Sequence, residues 1–314
     1  DALRASFEAL PWQVLEDSPR AHAVRFTDRV VDVDGHRIVF SAAMLLHAAV
    51  KYGRAIAHVT SMYRHLEGAA GGRAFELEVS VDETETPTTP AEHVYVASEL
   101  RRRGVSWVSL APRLAGRFEK GVDYIGDPGV FEADWAIHAA IAREFGPYKL
   151  SLHSGSDKFS IYAAAARQSR GLVHVKTAGT SYLEAVRTLA VVDPDLFREL
   201  YTFSRGRYAT DRASYHVSAS VDQAPAPERL EDSELPAVLD DFHARQILHV
   251  TFGSVLTAHD GAGRSFFREP LIAALRAADE TYAAMLEAHF ARHLTPFTTA
   301  AVPGPRSDGG PEMP

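Results

Sequence analysis

The sequence contains no cysteine in 314 residues, which excludes a disulfide framework and any thiolate metal site. A bound metal would have to sit on histidine and carboxylate. There is no apolar run near the roughly 20 residues of a membrane span and no basic-then-apolar leader. A cytoplasmic protein without a membrane partner is therefore the expectation. Basic clusters are also lacking: Arg101-Arg102-Arg103 stands alone and suits a helix C-terminus, while 33 basic residues face 41 acidic ones for a net charge of -8. That balance argues against nucleic acid as a partner. No internal repeat is present, and the chain opens on Asp1 rather than methionine, running directly into Leu3, Phe7 and Leu10 at helical spacing, as a fragment would.

Hydrophobic residues make up 46% of the chain, ample for one large core. Four short apolar runs, at 148–153, 172–176, 214–218 and 247–251, carry polar side chains at every second position. Period-two alternation places Lys149, Ser151 and His153 on one strand face, His174 and Lys176 on another, and His216 with Ser218 on a third. The segments between them read as helices: Ile137, Ile141 and Phe145 recur every four residues, and Ser181 to Glu184 has the form of a capping box. Strand-helix alternation predicts a parallel sheet covered by helices, best closed as a TIM-type (β/α) barrel with a polar lumen. Two further strands, at 75–82 and 105–110, bring the readable number to six of the usual eight. Residues 1–40 read as a peripheral helix and hairpin turned by Asp34-Gly35, residues 41–296 as the barrel domain, and residues 297–314 as a disordered tail.

Barrels of this kind carry chemistry at the C-terminal strand ends, where His153, Lys176, His216 and His249 are expected. One histidine on a strand is usually a core residue, but four on successive predicted strands form a candidate metal set. Asp82-Glu83-Thr84-Glu85 places three carboxylates at another strand end. His153, His216 and Glu83 are the expected ligands of a divalent ion such as Zn²⁺ or Mn²⁺, with His249 as the alternate and His174 as a structural residue. The turn Ser154-Gly155-Ser156-Asp157-Lys158 reads as an anion-binding strand-to-helix turn, and equally as a helix cap. Lys176 can stabilise an oxyanion or act as an acid. The remaining histidines, among them His22, His93, His138, His289 and His293, read as surface or helix residues.

The stretches at 80–88, 109–113, 120–126, 149–160 and 174–180, for example Ser-Val-Asp-Glu-Thr-Glu-Thr-Pro-Thr and His-Val-Lys-Thr-Ala-Gly-Thr, resemble the tagaturonate/fructuronate epimerase family. The resemblance runs from about residue 25 to about residue 293. It implies an isomerase of bacterial hexuronate metabolism, dependent on a divalent metal, that interconverts two 2-ketohexuronates differing at C4. It also implies a longer chain whose N-terminal portion, lacking here, supplies the first barrel strands.

The C4 hydrogen of such a substrate is not alpha to the C2 ketone. Oxidation by a bound nicotinamide is not expected, because Gly261-Ala-Gly263 has Phe266 where the third glycine of a dinucleotide loop should stand. Retro-aldol cleavage of C3–C4 and re-addition remains: a metal chelated by the C2 and C3 oxygens, Asp82 removing the C4 hydroxyl proton, and Lys176 at the opposite oxygen. Arg113, Lys158 and the turn of Ser154, Gly155 and Ser156 are candidates for the substrate carboxylate, with His249 also facing the substrate. A related metal-dependent ketose epimerase or aldolase, or a non-catalytic barrel that binds sugar acids, would share these features. A homo-oligomer is compatible with the sequence.

Overall fold

The computed structural model describes residues 2–177 and 179–299. The chain begins with α1 (Ala2–Glu8) and α2 (Pro19–Phe26), then the hairpin of β1 (Val30–Val33) and β2 (His36–Val39). Asp34 and Gly35 both adopt positive φ at its turn, as a tight antiparallel connection requires. α3 (Ala42–Ala70) is capped by Ser41 and ended by left-handed Gly71.

A parallel four-stranded sheet follows, in the order β3 (Glu78–Ser80), β4 (Ser109–Ala111), β5 (Lys149–Leu152), β6 (Val173–Val175). α4 (Pro90–Arg102), α5 (Pro128–Glu144) and α6 (Phe159–Gln168) form the three crossovers. α4 starts with a full capping box between Thr89 and Glu92, and Asp127 caps α5. The apolar faces of these helices, including Val94, Leu100, Phe131, Trp135, Ile141 and Ile161, pack with Leu110, Leu150 and Leu152 into one core.

The second half is helical: α7 (Thr180–Val192), α8 (Pro194–Asp211), α9 (Phe242–Val250), α10 (Phe252–Thr257), α11 (Arg268–Ala277) and α12 (Asp279–Thr299), with a run of 3₁₀ segments between α8 and α9. Leu183, Leu189, Phe197, Leu200, Leu235, Ile247 and Leu248 form a separate core there.

This arrangement corrects two predicted strands, and among the described residues no closed barrel forms. Residues 247–250 lie in α9. Asp241 caps that helix by accepting from Ala244 N at 2.8 Å, and Ala244, Ile247 and Leu248 are buried at i, i+3 and i+4. A four-residue apolar run fits either period, so tertiary packing decides. Segment 214–218 leaves a 3₁₀ turn and runs extended without pairing to a strand. The Ser218 amide is bonded by Glu119 Oε2 and Gln246 Oε1, and the Ala219 amide by Gln246 Oε1 at 2.7 Å, so side chains do the work of a neighbouring strand. α7 starts at Thr180 without a side-chain cap, which places Ser181 inside the helix rather than at its head. Residues 297–299 continue α12, whereas the expected tail beyond 299 lies outside the described residues.

Candidate active site

The sheet shows one polar face. Glu78 on β3 stands opposite Ser109 on β4, and Ser151 on β5 stands opposite His174 on β6. Ser109 Oγ donates to Glu78 Oε2 at 2.6 Å, His174 Nδ1 lies 2.5 Å from the same oxygen, and Ser151 Oγ lies 3.2 Å from His174 Nδ1. His153, one residue past β5, places Nε2 2.7 Å from Glu78 Oε1 and Nδ1 3.4 Å from Asp82 Oδ2. The Ser80 hydroxyl bonds the Asp82 carboxylate from the other side.

Electrostatics follow from these contacts. Burial alone would raise the Glu78 carboxyl, but the bonds from Ser109, His153 and His174 outweigh it and hold it at about 2. Burial also works against ionised Asp82, and His153 and Ser80 more than offset that, so its carboxyl stays below the ordinary range. Asp82 in turn raises His153, against burial, with Glu78 adding to the effect. The result is an imidazole biased toward holding a proton between two carboxylates ionised at neutral pH.

An open pocket of about 130 Å³ lies above this triad, at the C-terminal ends of the parallel strands. Asp82, Glu83, His153, Ser154, Ser156 and Lys176 line it from the strand ends, Lys120 and Gly121 from the loop after β4, and His249 from α9. Ligands of open parallel sheets bind at this end because the loops there are free to vary while the strands hold them rigid. Ser154 adopts positive φ, and at Gly155 a Cβ would come within 2.5 Å of Leu152 O, so the chain can double back here only through glycine. His249 is pushed down to about 4 by burial and by Lys120, which leaves a neutral ring.

Of the expected site residues, Asp82, Glu83, His153, Ser154, Ser156, Lys176 and His249 line the pocket, with Gly155 shaping its turn. Three others stand elsewhere. His216 is exposed on the extended segment after the 3₁₀ turn and does not line the pocket. Arg113 bonds the carbonyl of Thr84 and thereby braces the acidic loop. Lys158 is fully buried, its Nζ donating to the carbonyls of Glu119 at 2.9 Å, Val122 at 2.5 Å and Ser156 at 3.1 Å. It ties the 119–122 loop to the turn, and burial pushes its ammonium down to about 8. The anion seat at the head of α6 is filled by Asp123, whose carboxylate accepts from the Ser160 amide and hydroxyl.

Lys120 is the pocket cation that strand parity could not find, since it comes from a loop. Glu78 occupies a polar position at the start of β3, deeper than the acidic run at 82–85. The pocket lining holds carboxylate and imidazole donors, Asp82, Glu83, His153 and His249, of the kind a borderline divalent ion takes. The expected set of Glu83, His153 and His216 does not come together. Among the described residues, the groups whose ligand atoms lie within 4.8 Å of one another are Asp157, His289 and His293, and Asp17, His22 and Glu99.

The family model described as tagaturonate epimerase matches residues 1–297. The tagaturonate/fructuronate epimerase of Thermotoga maritima is 47% identical over 260 residues, which is 83% of this chain and 52% of that protein. The native crystal structure of the fructuronate-tagaturonate epimerase of Cohnella laeviribosi superposes with a TM-score of 0.89 at 40% identity, covering 95% of this chain and 59% of that one. A glycerol complex of the same enzyme matches equally well. The chain thus spans about half the length of the curated relative it matches.

Proposed function

The chain belongs to the tagaturonate epimerase family, and from that premise we propose that it carries the catalytic face of a metal-dependent C4 epimerase interconverting D-tagaturonate and D-fructuronate. The observation that carries this reading is the Glu78–His153–Asp82 triad under a pocket rimmed by Lys120 and Lys176. A sugar acid brings one carboxylate and several hydroxyls, and the pocket offers two exposed ammonium groups, two serine hydroxyls and an acid–base pair to receive them.

In this reading Asp82, ionised and open to the pocket, takes the C4 hydroxyl proton as C3–C4 cleaves, and returns it when the aldehyde half has turned and re-added. His153 holds Asp82 in place and shares its proton load, while Glu78 fixes the imidazole from behind. Lys176 stabilises the oxygen on which charge develops, and Lys120 orients the substrate carboxylate. The pocket's other carboxylate and imidazole, Glu83 and neutral His249, are the groups that would hold the divalent metal, which when bound would supply Lewis-acid polarisation of the C2 carbonyl. Neutral His249 closes the far wall.

We also read the four-stranded sheet as an arc of a (β/α) barrel, because its polar face and its helix-covered face are those of lumen and exterior. A cytoplasmic location suits a sugar-acid substrate, and among the described residues no helix is long and apolar enough to cross a membrane.

The test is incubation of chelator-treated protein with tagaturonate, with and without Mn²⁺ or Zn²⁺. Metal-dependent appearance of fructuronate supports the reading. Accumulation of free three-carbon fragments instead would identify an aldolase.

A further inference from the structure

We propose that Asp157, His289 and His293 form a closed divalent-metal site, suited to Zn²⁺, that staples α12 to the turn beneath the pocket. The three residues are 2%, 4% and 5% exposed. Asp157 Oδ2 is held by Arg245 at 3.0 Å, but Oδ1 is buried and has no hydrogen-bond partner among the described residues. It faces His293 Nε2 at 3.7 Å and His289 Nε2 at 3.9 Å. These separations are too long for hydrogen bonds, and they are close to the span of two donors that share an ion bonded at about 2.0–2.2 Å to each.

The imidazoles are set for ligation. His293 Nδ1 lies 2.9 Å from the carbonyl of His289, which accepts its proton and leaves the Nε2 lone pair turned inward. His289 Nδ1 lies 3.4 Å from Glu184 Oε1, a carboxylate behind a ligand ring. An outer acceptor that fixes tautomer and orientation is the usual companion of a metal-bound histidine. Thr180 Oγ1, 3.0 Å from His289 Nε2, stands where a further oxygen donor belongs. Ion uptake would exchange two bonds, the Asp157 amide to His293 Nε2 at 3.1 Å and the Thr180 hydroxyl to His289 Nε2 at 3.0 Å, for coordination.

The Asp17, His22 and Glu99 group makes the contrast. There Arg25 reaches both carboxylates and Arg102 bonds Glu99 with two nitrogens, so cations already satisfy the acids. At Asp157 two inward lone pairs and an unpartnered carboxylate oxygen converge with only one guanidinium nearby. Complete burial marks the site as structural, since catalytic sites keep an open position. Its effect on chemistry would pass through the turn, where Ser154 and Ser156 line the pocket.

The experiment measures Zn²⁺ retained after chelation, reloading and desalting, in a Glu83→Gln background that weakens binding at the pocket. One Zn²⁺ per chain is expected there, with a melting temperature raised by roughly 3–6 °C at a hundredfold excess over Kd. Both effects should disappear in His293→Gln and in Asp157→Asn, two variants that perturb different elements, each checked for native circular dichroism. Co²⁺ in place of Zn²⁺ should give a ligand-field absorption that the same variants abolish. Absence of retained Zn²⁺ in the parent, or equal retention and equal melting shift in whichever variant folds, would overturn the proposal.

Discussion

Replacing Glu78 by Gln should weaken the protein in a pH-dependent way. The variant keeps the size of the side chain and one acceptor, but removes the charge that Ser109, His153 and His174 converge on. In the native protein the carboxyl is depressed from 4.5 to about 2. A shift of that size corresponds to about 3.4 kcal/mol at full strength. Because the side chain is 27% exposed, solvent screening lowers the expected loss to about 1–2 kcal/mol. A carboxyl with depressed pKa stabilises the fold above its unfolded value, so the advantage of the native protein is complete at pH 7. It begins to fade below about pH 4.5 and is gone near pH 2. Urea unfolding of both proteins at pH 7 and at pH 3.5 reads this directly, and the gap between them should shrink at the lower pH. The same substitution should lower the His153 pKa, which proton NMR can follow. An unfolding gap that is constant with pH, or a His153 titration unmoved by the substitution, would refute the triad as described.

Other consequences concern neighbouring residues. Lys158→Met should destabilise by about 2–4 kcal/mol, because the carbonyls of Glu119, Val122 and Ser156 lose their shared donor; denaturant titration that finds no loss would show the ammonium to be dispensable. His249, held near 4, should show no titration between pH 5.5 and 8 in proton NMR, whereas His153 should titrate above the ordinary imidazole range. Gly155→Ala should cost about 1–3 kcal/mol and lower turnover together, since the new Cβ meets Leu152 O and must displace the turn bearing Ser154 and Ser156; a variant with native melting temperature and rate would contradict the close approach.

The sheet half of the molecule was the more legible in sequence. Alternation put Ser151 and His153 on one face and His174 and Lys176 on another; His153 and His174 meet Glu78, Ser151 meets His174, and His153 and Lys176 line the pocket. Parity works there because the strands are short, rigid and polar on one side only. It misled at 247–251, where the capping signal at Asp241 and the i, i+3, i+4 spacing of Ala244, Ile247 and Leu248 outweighed a four-residue alternation. Histidine burial was invisible to periodicity: His93 and His138 lie 2.8 Å apart in the core, and His289 and His293 are enclosed by α6 and α7 packing against α12. Their i, i+4 spacing was the available signal, but only the three-dimensional approach of Asp157 gives it meaning. Lys158 shows the same limit in reverse, a charged residue in a polar turn whose aliphatic stem and ammonium are wholly enclosed.

The most direct test of the central claim is a ¹³C NMR time course on tagaturonate labelled at C4, comparing the native chain with Asp82→Asn in the presence of Mn²⁺ or Zn²⁺. The account predicts fructuronate signals that grow with the native chain and fall by at least about a hundredfold in rate with the variant, its fold unchanged. Equal rates in the two would contradict the assignment of Asp82, and no fructuronate from this chain or from one extended to the length of its relatives would contradict the pocket as an epimerase site.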